Sequence, residues 1–449
     1  MYIHLIFLSL FVINSAVSAE AKLEQITITA TRSDTPSDDL PLTWTLVNQE
    51  QLNRTNSTHI TEIMQKVPGA WISRGNGQES LVSLRSPVLT GSGACGAYLA
   101  TWDGIPLRAT GFCNVNQLFD LNFEQASKIE VIKGPAPSSF GSDSMHGVIN
   151  ILSAPPSLEL DHKISFEYGA YGFKRAKYHY RNKSKSSGIS LNANASSDEG
   201  YQTDSGYDQQ KFSLRWENFG QNWSTRFATE LSNLNQETAG YVKTEDCPSG
   251  QEAYEDETCA KSNPFTEAYR DAQTFRSFLR MERSLSDGAT LTITPYLRTN
   301  DMEFLMHFLP GQAVEENEHT SIGAQISYAR SSDLVSYVVG LDTELTTGEL
   351  TEVQTQTATP DFQTFNYLVG THYDYEVDAT TIAPYVHAVW HLSENTDLTT
   401  GVRAEYTEYE YDNRTDDGLQ GKLFRPADRS DDFSDVSPKL ALVHRLSEA

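Results

Sequence analysis

The chain has 449 residues, long enough for more than one domain. Its 60 acidic side chains against 34 basic ones give a formal charge of −26, which argues against a nucleic-acid binder, since such proteins carry a basic stripe. Tyr and Phe are abundant, Asn, Thr, Ser and Gly are frequent, and long helix-period runs are few, so the composition leans to β structure.

Residues 1–19 read as an export signal. Ile3 to Val12 is apolar but too short to span a bilayer, and Val17-Ser18-Ala19 offers small residues for signal peptidase, which puts Glu20 at the front of the mature chain. No later stretch is long and apolar enough for a membrane helix. If the chain spans a membrane, it does so as a β-barrel. Glu24 to Arg32, EQITITATR, alternates like a strand but has no hairpin partner beside it. The polar run Ser33–Asp39, with Pro36, reads as a flexible tether.

Residues 35–155 form a compact α/β region. Thr58 to Lys66 reads as a short helix. Ile60, Ile63, Met64 and Val67 share a face, Ser57 or Thr58 can cap it, and Pro68-Gly69 ends it. Strands follow at Ser80–Leu84, Ala97–Trp102 and Ile129–Ile132. The Asp103-Gly104 turn makes a hairpin to Ile105–Leu107, and Val148–Ile151 is a closing strand.

From 156 onward the rhythm changes. Ile189, Leu191, Ala193 and Ala195 alternate with Ser190, Asn192 and Asn194. Leu291, Ile293, Pro295 and Leu297 alternate with Thr292, Thr294, Tyr296 and Arg298. Ile322, Ala324, Ile326 and Tyr328 alternate with Gly323, Gln325 and Ser327. Such runs of about ten residues suit transmembrane strands, apolar to lipid and polar to the lumen. Short connections at Ser184–Gly188, Gly220–Asn222, Ser286–Gly288, Ser331–Asp333 and Ser393–Asn395 take turns with long ones. The long ones are Asn233–Asp271, Leu305–His319, Thr347–Ala379 and Asp412–Phe433. Tyr168, Tyr178, Trp216, Trp223 and Trp390 are candidates for the membrane interface. The count is about 12 strands. Leu-Ser-acid recurs at strand ends in SLSDGA, HLSENT and the final HRLSEA, so the chain is expected to stop partway round a barrel, and this stretch alone is not expected to form a competent pore.

Four cysteines in an exported chain suggest two local disulfides, Cys95 with Cys113 and Cys247 with Cys259. Other pairings and a zinc site are the alternatives. Met302, Met306, His307 and His319 flank an acidic outer loop with Glu315, Glu316 and Glu318. Met and His suit copper or zinc, against a plain strand end beside a solvated loop. Gly91 to Gly96 has the G-x-G-x-x-G spacing, but a strand follows it where a dinucleotide site needs a helix. The chain has no Gly-x-Ser-x-Gly, no His-Glu-x-x-His and no phosphate loop, so no enzyme chemistry is expected.

The order of signal, isolated strand, α/β globule and large barrel resembles a TonB-dependent outer-membrane receptor of Gram-negative bacteria. QITITATR (25–32) resembles the TonB box. ITEIMQKVPGAWISRGNGQESLVSLRSP (60–87), ATWDGIPLR (100–108) and KIEVIKGPAPSSFGSDSMHGVINI (128–151) resemble successive plug motifs, with His146 where the family usually has glycine. The resemblance implies an α+β plug domain followed by an antiparallel transmembrane β-barrel, with about 12 strands present of about 22. It implies that Gln25, Ile26, Thr27, Ile28, Thr29, Ala30 and Thr31 pair with TonB by strand addition. TonB and its inner-membrane energising complex would then drive import of a scarce solute, a ferric siderophore or another metal chelate. No cofactor is implied. The loop pinned by Cys95–Cys113 would point outward, giving Thr90, Ser92, Arg108, Thr110 and Phe112 to the ligand. Arg85, Glu130 and Lys133 would form ion pairs between plug and barrel. The alternatives are a non-energised barrel or adhesin, an inactive receptor fragment, and a secreted soluble β-rich protein.

Overall fold

A computed structural model describes residues 27–29, 35–36, 41–89, 95, 97–113, 116–243, 247, 255–309, 311–357 and 367–446. The export signal lies outside them. β1 (Thr27–Ile28) and β2 (Thr35–Pro36) pair with each other, antiparallel. The inner globule then runs through β3 (Thr43–Asn48), α1 (Gln49–Thr55), α2 (Ile60–Met64), β4 (Ala70–Arg74), β5 (Ser80–Leu84), β6 (Leu99–Trp102), β7 (Ile105–Pro106), β8 (Lys128–Lys133) and β9 (Gly147–Leu152). Five of these form one sheet in the order β3-β8-β9-β6-β7, with β6 and β9 parallel. β4 and β5 pair as a separate hairpin.

The helices show how local chemistry set these elements. The Asn48 side chain accepts from the Gln51 amide while Gln51 reaches back to the Asn48 amide, a reciprocal cap. The expectations above missed α1, because only Leu52 of its residues is buried. α2 is shorter than expected and is not capped by Ser57 or Thr58. His59 caps it: its Nδ1 accepts from the Thr61 amide at 3.1 Å, and its Nε2 lies 3.0 Å from the Glu79 carbonyl. Burial pushes the His59 ring down to about 4, so it stands neutral and Nδ1 is free to accept. Ile60, Ile63, Met64, Leu84, Leu118, Leu121, Phe123 and Ile129 are fully buried and form the globule's core.

The wall is one antiparallel sheet in chain order. Its strands are β10 (Asp161–Tyr168), β11 (Lys174–Lys183), β12 (Ser187–Asp198), β13 (Tyr207–Phe219), β14 (Ser224–Glu237), β15 (Tyr269–Ser284), β16 (Thr290–Leu305), β17 (Val314–Ser331), β18 (Val335–Gln354), β19 (Gly370–Ser393) and β20 (Thr396–Asn413). A small hairpin, β21 (Gly418–Gln420) with β22 (Leu423–Arg425), precedes the last wall strand, β23 (Arg429–His444). The sheet has the 12 strands expected. Its edge strands β10 and β23 do not pair with each other, so the wall is open on one side. No described helix is long and apolar enough to cross a membrane.

The alternation sorts side chains as expected. Ser190, Asn192, Asn194, Thr294 and Arg298 are buried against the globule. Ile322, Leu345, Val436, Leu440 and Leu442 are exposed on the outward face, as are Tyr168, Tyr178, Trp216 and Trp390. The long connections are shorter than expected because the strands continue past the apolar band. β14 runs to Glu237, and β18 runs to Gln354. The outward face of these extensions is acidic. Asp301, Glu318, Glu349, Glu376 and Asp412 stand directly opposite one another from β16 to β20, and Arg414 bridges Glu349 and Glu376.

Candidate functional site

The site is the seam where the globule's outermost loop meets the wall. β7 leads into the loop Leu107–Cys113, which a disulfide from Cys113 to Cys95 ties back to the sheet, with Cα atoms 6.2 Å apart. Cys247 and Cys259 form the second disulfide, in an outer loop. Both expected pairs are present. Thr90 and Ser92 lie outside the described residues.

The three other residues expected to meet ligand are held by protein. Arg108 pairs with Asp143 at 3.0 Å and donates to the Cys95 carbonyl at 2.9 Å. Thr110 donates from its amide and its hydroxyl to Glu344 of β18, at 3.0 and 3.1 Å. Glu344 also receives Tyr296 Oη at 2.6 Å, Thr346 Oγ1 at 3.1 Å and the Arg298 guanidinium. This buried carboxylate therefore gathers donors from two wall strands and the apex loop, and charge-assisted bonds of this kind are the strong ones. Phe112 lies 5.3 Å from the His319 ring. A Cβ on Gly348 would come within 2.5 Å of Phe112 Cζ, so the wall makes room for the ring only because position 348 is glycine.

Above this seam lies a cavity of about 1080 Å³. Its floor is Arg108 to Cys113 with Phe140, Ser142 and Asp143. Its wall includes Asp342, Glu344, Arg403, Tyr409, Tyr411 and Phe433. Arg403 pairs with Asp342 at 2.8 Å and Glu405 at 2.9 Å. It presses against Gly141, where a Cβ would fall 2.7 Å from its guanidinium. A groove of similar size, about 1050 Å³, follows the outward face of β11 to β19, the side given to lipid.

The ion pairs between globule and wall are not the expected ones. Glu130 pairs with Lys128 inside the globule. The Lys133 ammonium donates to Thr45 Oγ1 at 2.8 Å and to the Pro68 carbonyl at 3.1 Å. Arg85 stacks along Gly69. These three sit on strands or turns that face other parts of the globule. Among the described residues, the bridging pairs are Asp120–Arg276 at 2.7 Å, Glu124–Lys211 at 3.0 Å and Glu79–Arg270 at 3.2 Å. Burial lifts the Asp120 carboxyl above its usual range, while Arg276 pulls the other way.

The Met and His residues considered for soft metal do not form one set. Met302 and Met306 are buried in an apolar cluster with Phe119 and Phe304, and Arg270 caps the Met302 sulfur. His307 stacks on Phe265, and His319 faces Phe112. Among the described residues, no three His, Cys, Asp or Glu converge as metal ligands. The sequence reading missed Glu344, Arg298, Arg403 and Asp143. Strand parity offered a signal for the first three: each is a charge on the inward face of an alternating strand, where a charge needs a partner.

At the other end of the globule, Thr27 and Ile28 are paired with Thr35 and Pro36, and Thr29 is bonded to Glu130. Gln25, Ile26, Ala30 and Thr31 lie outside the described residues.

Two family descriptions match the chain. The TonB-dependent receptor plug domain covers residues 36–148, and the TonB-dependent-receptor-like β-barrel covers residues 161–449. Among solved structures, the ferric yersiniabactin uptake receptor FyuA of Yersinia pestis is similar at 17% identity and a TM-score of 0.71, over 91% of this chain and 62% of that one. The ferripyoverdine receptor of Pseudomonas aeruginosa, bound to ferripyoverdine, is similar at 14% identity and 0.72, over 94% and 57%. The siderophore receptor PiuA of Acinetobacter baumannii is similar at 11% identity and 0.71, over 95% and 65%. The chain thus spans roughly 60% of the length of these receptors, and at such identities the likeness speaks for the fold.

Proposed function

Because this chain belongs to the TonB-dependent receptors of the Gram-negative outer membrane, we propose that it takes part in energised import of a scarce solute, a ferric siderophore or similar metal chelate. Its work is binding and passage, with no covalent chemistry. The observation that carries the reading is the cavity of about 1080 Å³. It is floored by the disulfide-pinned apex loop and bounded by wall residues toward the outer loops, so a solute arriving from outside meets the globule first. Aromatic side chains and mixed charges line it, as a chelate with apolar and polar parts requires. The three solved receptors named above are described by ferric chelates or siderophores, which supports the substrate class.

Residues 25–31 are the proposed entry point for TonB. Strand addition relies on main-chain bonds, so a loose Thr-rich sequence suffices. Apex-loop contacts with Glu344 would be exchanged for ligand contacts as the cavity fills. Growth of a deletion strain under iron limitation tests the function: growth falls specifically when iron is scarce, and indifference to iron rejects the ferric-siderophore reading. A non-energised barrel is the second reading, and it predicts uptake unchanged when residues 25–31 are deleted. The apolar outward face of the wall removes the soluble-protein alternative.

A further inference from the structure

The cavity at the seam has a charge that narrows what it can hold. Among the described residues, six carboxylates and three guanidiniums line it, and no lysine or histidine does. Each guanidinium is already paired. Arg108 meets Asp143 at 3.0 Å and donates to the Cys95 carbonyl at 2.9 Å. Arg403 lies between Asp342 at 2.8 Å and Glu405 at 2.9 Å. Arg429 meets Asp431 through two nitrogens, at 2.5 and 2.6 Å. An anion entering here would have to draw a guanidinium away from a carboxylate and leave that carboxylate without its partner, which is costly.

The surplus negative charge is gathered on one patch. β20 and β23 set Tyr409, Thr407 and Glu405 opposite Asp431, Phe433 and Asp435. Strand parity turns these residues inward, because Lys439 of the same face reaches the globule and donates to the Pro135 carbonyl at 3.1 Å. Glu405 and Asp435 are therefore like charges directly across neighbouring strands, an unfavourable pairing. Arg403 answers Glu405. Asp435 accepts from the Ser437 hydroxyl at 2.7 Å and has no cationic partner among the described residues. Beside this pair, Tyr409 and Phe433 meet edge to face, with ring centroids 5.9 Å apart. Phe433 is 62% exposed although its strand turns it toward the cavity. Carboxylates next to aromatic faces suit an organic cation: the carboxylates answer its charge, and the rings attract it through their quadrupoles.

We infer that the cavity selects a chelate with a neutral metal core and a positively charged side group, an ammonium or guanidinium seated between Asp435, Glu405, Phe433 and Tyr409, and that it turns away polyanionic chelates. The inference deepens the import reading of this cavity and rests on it. A ferric trihydroxamate has a neutral core, whereas a ferric tricatecholate is a multiply charged anion. The outer rim acts in the same sense. Asp301, Glu318, Glu349 and Glu376 stand side by side there, and such a field repels anions and draws cations toward the mouth before contact.

The test uses the full-length receptor in lipid nanodiscs and titration calorimetry with four probes. Two are ferric complexes of one linear trihydroxamate, with its terminal amine either free or acetylated. The third is a ferric tricatecholate of similar size, and the fourth is benzyltrimethylammonium, which carries no metal. Wild type should bind the amine form about tenfold more tightly than the acetylated form, and the tricatecholate more weakly still. Asp435→Asn should bring the amine and acetylated forms to equal affinity, and Phe433→Leu should weaken the amine form about threefold. Both side chains are exposed, so thermal unfolding at the wild-type midpoint or above is the folding check. A tricatecholate bound as tightly as the amine form, or an amine preference that survives Asp435→Asn, overturns the inference and leaves import standing. Benzyltrimethylammonium bound by wild type and about tenfold more weakly by Asp435→Asn, with no chelate bound, keeps the cationic niche and removes the chelate reading. No binding of any probe overturns the niche.

Discussion

The plug and the wall around it are both β structures, yet they bury opposite chemistry. The plug encloses Ile60, Leu84, Phe123 and Ile129 in an apolar core. The wall turns Arg276, Arg298, Asn192 and Glu344 inward and leaves Ile322, Leu345 and Leu440 outside. The plug closes on an apolar core as a water-soluble domain does, while the wall turns apolar side chains outward as a lipid-facing sheet does. Where the two meet, ion pairs and hydrogen bonds lie beside apolar contacts, such as Trp102 against Phe278 and Phe119 in the cluster with Met302 and Phe304. The polar part of that seam can be exchanged bond by bond, whereas its apolar patches resist sliding.

The largest test of this contrast is the seam itself. Asp120→Ala leaves Arg276 buried without its partner and should destabilise the docked plug by about 3–5 kcal/mol, read as the midpoint of plug unfolding in denaturant. An unchanged midpoint would mean that water already carries that charge. Next, Leu84→Ala in the plug core should cost about 3–4 kcal/mol, while Ile322→Ala on the lipid face should cost under about 1 kcal/mol. Equal costs would break the distinction between the two regions.

A pH test sharpens the plug's side. The buried His59 ring titrates at about 4 in place of 6.5. A group whose folded value is depressed contributes stability that is present above 6.5 and is lost as pH falls toward 4. The loss is on the order of 3 kcal/mol. It should appear as faster exchange of the α2 amides over that window, and His59→Gln should flatten the profile. The smallest effect concerns the outer rim. Asp301, Glu318 and Glu349 face one another across neighbouring strands, and like charges in that position repel. Glu318→Gln should stabilise the rim by about 0.2–0.5 kcal/mol. Thermal unfolding should show the gain shrinking as salt is raised.

Much of this was legible in the chain. The alternation of Ile189 to Ala195 and of Leu291 to Arg298 fixes which side of each strand meets lipid, because a strand has only two faces. Turn chemistry at Asp103-Gly104 fixed a hairpin, and cysteine spacing suggested the two bridges that the structure contains. Helix α1 was hidden because its one buried residue leaves no periodic stripe. The true strand ends were hidden because rim residues pair without lipid and so lose the apolar signal.

The sequence by itself determined the class of fold, the face each wall residue presents and the hairpin at Asp103-Gly104. Those properties are local, set by side-chain period and turn chemistry over a few residues. Only the tertiary structure decided that Glu344 clamps Thr110, that Asp120 meets Arg276 and that Thr29 docks on Glu130. Each joins residues more than a hundred positions apart. A charge on an inward face announces that it needs a partner, but the partner is chosen by which surfaces the folded chain brings together.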